Sequence, residues 1–401
     1  MDSKSSIWNK TYISLLIANT LLALALNIVN PLIVEYGGFL GAEAVLIGFL
    51  SGLYFGVAFL MRPISGPVIT KFNRRMLLLL SFAIGAAGYL IYALFQDLGW
   101  FITARVLQGM EFSVVGSLLM ALTGDSLPGE KLDTGMGIFA VANALALAIG
   151  PSIGIGLRGF GDAHMGAGGG FRLSFLAAAA IMLIALIPCS IVKPVRLSRE
   201  ELKEAGAWYK NIIAPQAVPH SILVALLYVS YSLLFMYMVP YAVEKGLSNI
   251  GSFFMVHAAA MLLFRPACGK IIAKFGVGPL IVAGFVIYGT SFVILGLAES
   301  MAAVYLGSIL AAAGFGAVFL SLQALCLQSV PPIKRGAASN TNYFGLDLGQ
   351  FLGPVLAGIV IKAFENSGRA YSILFLFGAI PSVAALLFYL GAGKAISKEA
   401  K

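Results

Sequence analysis

Among the ionisable side chains that lie inside long apolar stretches of the sequence, where charge is costly, four could take part in proton chemistry. Arg105 and Glu111 fall in "RVLQGMEF", His257 falls in "FMVHAAAM", and Asp347 falls in "FGLDLGQFLGP". Ionisable groups in such surroundings normally face a protein interior or a water-filled cavity, and many of them move protons or ions. The chemistry that these residues indicate is reversible proton binding.

The segment around Arg105 and Glu111 predicts one functional helix face. At helical spacing, Arg105, Gln108 and either Glu111 or Phe112 share a face. An Arg six residues before a Glu indicates mutual charge compensation, either directly or through a third group. Two hypotheses follow: Glu111 carries a proton and Arg105 modulates it, or the two form a static ion pair that holds the helices together.

The two other buried ionisable groups each leave two interpretations open. Asp347 has no obvious partner one turn away on its helix, so it either binds a proton reversibly or makes a structural hydrogen bond to another helix. His257 either titrates near neutral pH or is a satisfied interfacial histidine. Further polar and aromatic side chains are predicted to line a substrate cavity: Asn27, Asn30, Gln108, Asn143, Tyr228, Tyr231, Gln323 and Asn342.

The composition indicates what surrounds these residues. The 401 residues are 60% apolar and 11% charged, whereas soluble domains are about one-quarter charged. Lipid is therefore the expected solvent, and disorder and nucleic-acid binding are excluded. The three cysteines and three histidines show no paired spacing, so no disulfide framework and no metal site are expected. The sequence has no Walker loop and no Asp-rich diphosphate motif, so neither an enzyme nor a cofactor is expected.

Apolar runs long enough to cross a bilayer recur through the chain and predict an all-α integral membrane protein with twelve transmembrane helices. The expected division is an N-terminal six-helix bundle over 1–192, a polar cytoplasmic linker over 193–218, and a C-terminal six-helix bundle over 219–401. Within the linker, "SREELKE" is predicted to form a short surface helix. The predicted spans are 11–35, 44–70, 75–95, 98–126, 132–158, 171–192, 219–244, 249–273, 277–297, 301–329, 335–363 and 367–393.

The distribution of basic residues predicts the orientation in the membrane. With both termini in the cytoplasm, 18 of the 26 Lys and Arg residues fall in cytoplasmic segments and 5 in outer segments. This asymmetry follows the positive-inside rule. The expected location is the cell membrane.

The sequence repeats itself at an offset of 203 residues. "RPISGPVITKF" from Arg62 is matched by "RPACGKIIAKF" from Arg265, and "GPSIG" from Gly150 is matched by "GPVLA" from Gly353. "SLPGEK" from Ser126 is matched by "SVPPIK" at the same offset. Because each half holds an even number of spans, the halves are expected to be parallel repeats related by a pseudo-two-fold axis.

Three motifs resemble those of the major facilitator superfamily. The loop "GPVITKFNRR" is similar to Gly-x-x-x-Asp-Arg-x-Gly-Arg-Arg, although Thr70 stands at the acidic position. "RVLQG" is similar to Arg-x-x-Gln-Gly, and "ALAIGPSIGIG" is similar to the Gly-Pro motif of the antiporter branch. The resemblance implies alternating access between two six-helix bundles, with substrate near the midplane. Within the superfamily, the sequence most resembles the bacterial drug–proton antiporters.

The loop motifs and the Gly-Pro motifs are expected to serve conformational change rather than substrate contact. Gly66 and Gly269 are expected to let another helix backbone approach closely, and Asp125 is expected to pair with the basic loops as a gate. The residues assigned to this group are Gly66, Lys71, Arg74, Arg75, Asp125, Gly150, Pro151, Gly269, Lys274, Gly353 and Pro354.

Two transport functions fit the sequence. The first is a secondary transporter that exports a small, partly hydrophobic compound in exchange for protons. The second is a proton-coupled symporter that imports a sugar, an organic acid or another small nutrient, in which Arg105 would bind a carboxylate. The expected partners are a small-molecule substrate, protons and the lipid bilayer, and the expected assembly is a monomer.

Overall fold

The computed structural model describes residues 7–193, 212–331 and 334–398, and within these ranges it contains helices and no strands. Among the described residues, twelve helices are long and apolar enough to cross a membrane. The predicted all-α fold with twelve spans is therefore confirmed. The predicted "SREELKE" helix lies in 194–211, outside the described residues.

The twelve helices are numbered in chain order, and several are interrupted or capped. α1 spans Lys10–Phe39 and contains a 3-10 turn at Asn30–Leu32. α12 consists of Ala370–Phe377 and Ile380–Lys398. The others are α2 (Ala44–Lys71), α3 (Arg74–Leu94), α4 (Leu98–Ser126), α5 (Leu132–Met165), α6 (Gly169–Ile191), α7 (Val218–Lys245), α8 (Gly251–Phe275), α9 (Val277–Leu297), α10 (Met301–Gln328) and α11 (Arg335–Ala363).

One predicted helix boundary is wrong by about two turns. α5 continues to Met165, whereas the sequence predicted its end at 158. The extension is possible because its polar residues satisfy one another: Arg158 Nε lies 3.6 Å from Asp162 Oδ2, one turn further on. The Arg158 guanidinium also lies 4.5 Å from the centroid of the Phe171 ring, at the start of α6. A charged residue that marks a loop in the sequence is here part of the helix.

The predicted repeat is reproduced in the helix boundaries. α3 and α9 both contain 21 residues and both begin and end 203 positions apart. α4 and α10 begin 203 positions apart, and each begins with a side-chain cap: Asp97 accepts a hydrogen bond from Trp100 N, and Ser300 accepts one from Ala303 N. Such caps satisfy backbone donors that the first helical turn leaves open. The two halves can therefore be compared residue by residue.

The helices group into two compact units. The described residues of Met1–Leu32 and Leu60–Trp208 form the first unit, and those of Ile33–Phe59 and Tyr209–Lys401 form the second. The boundary inside α2 falls beside Pro63, whose ring removes the backbone hydrogen bond to the Phe59 carbonyl. Packing places 33–59 in the second unit although this segment precedes the predicted linker. The predicted division of the chain at 193–218 remains a prediction.

In the second unit, the first half of α2 packs against α11 at very short range. A Cβ atom added to Gly52 would lie 2.5 Å from the Phe351 carbonyl oxygen and 3.2 Å from its Cα atom. One added to Gly358 would lie 3.0 Å from Val45 Cα. Glycines thus let the two backbones touch, as small residues commonly do between membrane helices.

Candidate functional site

The first polar centre lies in the first unit, where α4 packs on α3. Gln108 of α4 accepts a hydrogen bond from the Tyr92 hydroxyl at 2.9 Å. Gly88 makes room for this amide, because a Cβ atom there would lie 2.6 Å from Gln108 Cγ. The Gln108 side chain is therefore held against α3 and is almost fully buried.

Arg105 lies one turn before Gln108 and belongs to the same centre. It is only 1% exposed. Its guanidinium lies 5.9 Å from the centroid of the Phe101 ring and interacts with the Tyr92 side chain. Buried arginines of this kind are stabilised by aromatic faces and by hydrogen bonds. Arg105 is thus engaged by α3 and by its own helix.

Glu111 lies near the middle of α4 and is 4% exposed. Its Cδ atom would lie 3.5 Å from a Cβ atom on Gly85 of α3, and Met182 of α6 closes the same position. Tyr89 lies within electrostatic reach of both Glu111 and Arg105. The third group that could mediate between the two charges is therefore Tyr89.

One oxygen of the Glu111 carboxyl group is buried without a hydrogen bond. Among the described residues, Oε1 has no hydrogen-bond partner. A buried carboxylate with an open oxygen is expensive, whereas a protonated carboxyl is much less so. This arrangement can bind and release a proton.

Phe112 faces a different neighbour from Glu111, and this distinguishes the two alternatives for the helix face. Arg62 of α2 lies over the Phe112 ring at 5.9 Å and donates to Ser117 Oγ at 3.2 Å. The face shared with Arg105 and Gln108 therefore continues through Glu111. Arg62 itself is buried, and it links α2 to α4.

At the end of α4, Asp125 pairs with the first residue of α3. Arg74 Nη1 lies 2.6 Å from Asp125 Oδ2. Arg74 is almost buried, whereas the Asp125 side chain is 58% exposed, so water screens the pair. Arg75 and Lys71 flank it, and Lys71 is exposed.

The second polar centre lies in the second unit, between α7 and α11. Asp347 is fully buried and lies within electrostatic reach of Tyr228. Tyr228 and Tyr231 pack their rings 5.2 Å apart, and Tyr231 stacks on Phe315 of α10 at 4.5 Å. Tyr228 and Tyr231, two of the predicted cavity residues, are therefore part of an aromatic cluster that also borders the buried acid.

His257 of α8 is fully buried among aromatic rings. Its ring lies 5.3 Å from Phe235 and 5.9 Å from Phe253, centroid to centroid. Neither ring nitrogen has a hydrogen-bond partner among the described residues. The Ser308 backbone nevertheless lies within interaction range of the ring, so both interpretations of His257 remain predictions.

The predicted cavity amides differ in whether the structure shows hydrogen-bond partners for their side chains. Asn27 is satisfied on its own helix, where its Nδ2 donates to the Ala23 carbonyl at 2.8 Å. Asn143 accepts a hydrogen bond from Asn19 Nδ2 at 2.7 Å, a partner that the sequence did not single out. Asn30 begins the 3-10 turn of α1. Gln323 is partly buried, and Asn342 is buried with Oδ1 lacking a partner among the described residues.

The prediction of close helix contact at Gly66 and Gly269 is wrong. In the described structure no heavy atom lies within 4 Å of a Cβ atom placed on either residue. Close contact occurs instead at the Gly-Pro motifs: a Cβ atom on Gly150 would lie 2.6 Å from Asn27 Cβ, and one on Gly353 would lie 2.5 Å from the Val229 carbonyl oxygen. Pro151 and Pro354 follow Gly150 and Gly353 inside their helices. Lys274 lies in the last turn of α8.

A cavity of about 400 Å³ lies in the second unit, where α7 ends. Glu35 and Glu244 line it, and Glu244 also accepts hydrogen bonds from the backbone N–H groups of Tyr371 and Ser372 at 2.8 Å. A carboxylate in this position caps the start of α12 and complements its helix dipole. The sequence analysis assigned neither glutamate to a site.

Twelve spanning helices with a repeated arrangement and buried ionisable groups define a multi-pass membrane transporter. The family model of the Major Facilitator Superfamily matches residues 15–344 and 221–400. The chain belongs to this superfamily, as the sequence motifs implied, and it is a transporter rather than an enzyme.

Curated relatives are distant but consistent with this assignment. The uncharacterized MFS-type transporter YddS of Bacillus subtilis is 26% identical over 78% of this chain and 74% of its own length. Multidrug resistance protein 2 of Bacillus subtilis is 23% identical over 52% of this chain and 50% of its own length. The staphylopine export protein of Staphylococcus aureus is 29% identical, but the match spans 32% of each chain.

Solved structures share the fold along nearly the whole chain. The peptide transporter POT in complex with sulfate matches with a TM-score of 0.78 and 13% identity, covering 97% of this chain and 95% of that one. The nucleoside transporter NupG matches with a TM-score of 0.75 and 12% identity, covering 96% of this chain and 99% of that one. At these identities the likeness establishes the fold alone.

Proposed function

We propose that this protein exports a small, partly hydrophobic compound in exchange for protons, working by alternating access, and that Glu111 carries the proton. The observation that carries the proposal is the Glu111 carboxyl group, which is buried at mid-helix with Oε1 open. A proton is the ligand that fits a carboxyl oxygen in this position, because protonation removes the charge.

Export of a partly hydrophobic compound is supported by the side chains of the second centre and by the names of two relatives. The aromatic cluster around Tyr228 and Tyr231 offers apolar faces, and Asp347 is the acid beside it. Two relatives are named for multidrug resistance and for export. A partly hydrophobic substrate fits such faces better than a polyanion does.

The alternative is import of a sugar, organic acid or other nutrient together with protons. That function would require Arg105 to bind a substrate carboxylate. Since Arg105 is 1% exposed and engaged with Phe101 and Tyr92, the geometry favours a role inside the first unit. We therefore rank import second.

A pH-dye assay in inside-out membrane vesicles tests the exchange. Respiration acidifies the vesicle interior and quenches the dye, and compounds from a chemically diverse library are then added singly. A compound that is exchanged for protons releases the quench, and Glu111→Gln should abolish this response while leaving the respiratory quench intact. Release of the quench by the same compound with Glu111→Gln would contradict the role of Glu111.

We further propose that the protein resides in the cell membrane as a monomer with both termini in the cytoplasm, and that the two repeats over 1–192 and 219–401 are its moving halves. The basic residues support this orientation. The conformational residues form a consistent group: Arg74 with Asp125 at a helix end, and Gly150 and Gly353 at tight helix contacts.

A further inference from the structure

The offset of 203 aligns the helix pair α3–α4 of the first unit with the pair α9–α10 of the second. Arg74 aligns with Val277, and Leu98 aligns with Met301, the first residues of these helices. Each pair packs along its length within its own unit. Positions that face each other in one unit therefore have counterparts that can be identified in the other.

At one such position the two units exchange a large residue for a glycine. Glu111 of α4 aligns with Gly314 of α10, and Gly85 of α3 aligns with Tyr288 of α9. In the first unit Gly85 faces Glu111; in the second, a Cβ atom on Gly314 would lie 2.8 Å from Tyr288 Cβ. Each unit thus packs one large side chain against one glycine, but from opposite helices.

The space beside Gly85 is filled by the Met182 methyl group and bordered by the Glu111 carboxyl group. A Cβ atom on Gly85 would lie 3.5 Å from Glu111 Cδ, and it would collide with the terminal methyl group of Met182. In the second unit, Tyr288 is fully buried, and a Cβ atom added to Gly314 would lie 2.7 Å from Tyr288 N. Interiors packed this closely do not accept an added branched side chain without displacement.

We infer that Gly85 is the positioning residue of the proton site: its missing side chain leaves the space that the Met182 methyl group fills and that the Glu111 carboxyl group borders, and the second unit lacks an equivalent site because Tyr288 and Gly314 fill that position. This inference rests on the proposed role of Glu111 as proton carrier. Gly85 acts through Glu111 and does not bind the proton.

The groups around the carboxyl define what a displacement would change. α3 contributes Tyr89, α4 contributes Arg105, and α6 contributes the uncharged Met182. α2 contributes the buried Arg62, which donates to the Ser113 carbonyl, two residues after Glu111. α1 also packs on α4, and its ionisable residues within Lys10–Val29 are Lys10 and Tyr12, both in its first turn. Moving the carboxyl relative to Tyr89 and Arg105 would alter the pH at which it binds its proton.

The test measures the pH dependence of proton exchange with the dye assay, using a compound that the wild-type protein exchanges. Gly85→Leu should move the midpoint of the pH profile by about one unit or more. Gly284→Leu is the matched control, because a Cβ atom on Gly284 would lie 2.6 Å from Val318 Cγ2 in the equivalent helix pair of the second unit. The control should lower the rate without moving the midpoint. An unchanged midpoint with Gly85→Leu would overturn the inference, as would an equal shift with the control.

A second measurement applies even if Gly85→Leu fails to fold. Gly85→Tyr alone should lower the melting temperature by about 5 °C or more, since it overpacks the α3–α4 contact. The double variant Gly85→Tyr with Glu111→Gly reproduces the pair found in the second unit. Both variants are made in a Met182→Ala background, because the Met182 methyl group would otherwise still meet the new side chain. In that background the double variant should recover at least half of the loss. No recovery would overturn the inference.

The outcomes separate this inference from the proposed function. If Glu111→Gln retains proton exchange, the proposed role of Glu111 fails. If Glu111→Gln abolishes exchange but Gly85→Leu keeps the wild-type pH profile, only the positioning role of Gly85 fails. The thermal recovery in the double variant tests the packing relation without any transport measurement.

Discussion

At the scale of single residues, the buried charges of α4 have different surroundings. Arg105 is engaged by Phe101 and Tyr92, whereas Glu111 keeps Oε1 without a hydrogen bond among the described residues. Tyr89 lies within reach of both. A change in the charge of Glu111 is therefore felt by Tyr89 and Arg105, and this gives the proton a route to influence helix packing.

The Tyr92 hydroxyl should contribute to stability through Gln108 and Arg105. Tyr92→Phe removes it while keeping the ring that contacts Phe101 and Phe175. The free energy of unfolding should fall by about 1–3 kcal/mol, because the buried Arg105 guanidinium loses this partner together with Gln108. Unfolding in a graded detergent mixture measures this. Tyr89→Phe is a useful comparison, since no hydrogen bond holds the Tyr89 hydroxyl in the described structure, and a larger loss there than with Tyr92→Phe would contradict the assignment.

At the scale of helices, glycine positions decide how closely neighbours pack. Gly52 brings α2 against α11, whereas Gly66, on the same helix, has no heavy atom within 4 Å of its Cβ position in the described structure. The sequence alone could not distinguish them, because both are glycines in apolar surroundings. Only the tertiary neighbours show which of them is needed.

Substitution of these two glycines should therefore have unequal effects. Gly52→Leu inserts a branched side chain between two touching backbones and should lower the melting temperature by about 5 °C or more. Gly66→Leu meets open space and should change it by less than about 2 °C. Thermal unfolding of both purified variants in one detergent makes the comparison, and equal losses would show that close packing does not distinguish the two sites.

At the scale of the whole molecule, the sequence predicted more of the fold than of the site. Twelve apolar runs and the offset of 203 are periodic features, so spans and register could be derived without tertiary information. The extent of α5 could not, because it depends on Arg158 meeting Asp162 and Phe171. The role of Gly85 beside Glu111 likewise required two helices to be placed together.

The orientation of the chain in the membrane can be tested by chemical labelling of intact cells. Glu365→Cys lies after α11 on the predicted outer side, and Glu130→Cys lies after α4 on the predicted cytoplasmic side. The three native cysteines are buried. A membrane-impermeant maleimide should label Glu365→Cys on intact cells, whereas Glu130→Cys should react only after the cells are opened. The reverse pattern would contradict the proposed orientation.

The central claim is that proton movement through Glu111 drives export, and flux in proteoliposomes tests it most directly. A labelled compound found by the dye assay is placed outside liposomes that hold inside-out protein, with the interior made acidic. Wild-type protein should accumulate the compound against its gradient, and Glu111→Gln should reduce uptake to that of protein-free liposomes. Accumulation by Glu111→Gln equal to that of the wild type, or wild-type flux that ignores the imposed pH gradient, would contradict the account.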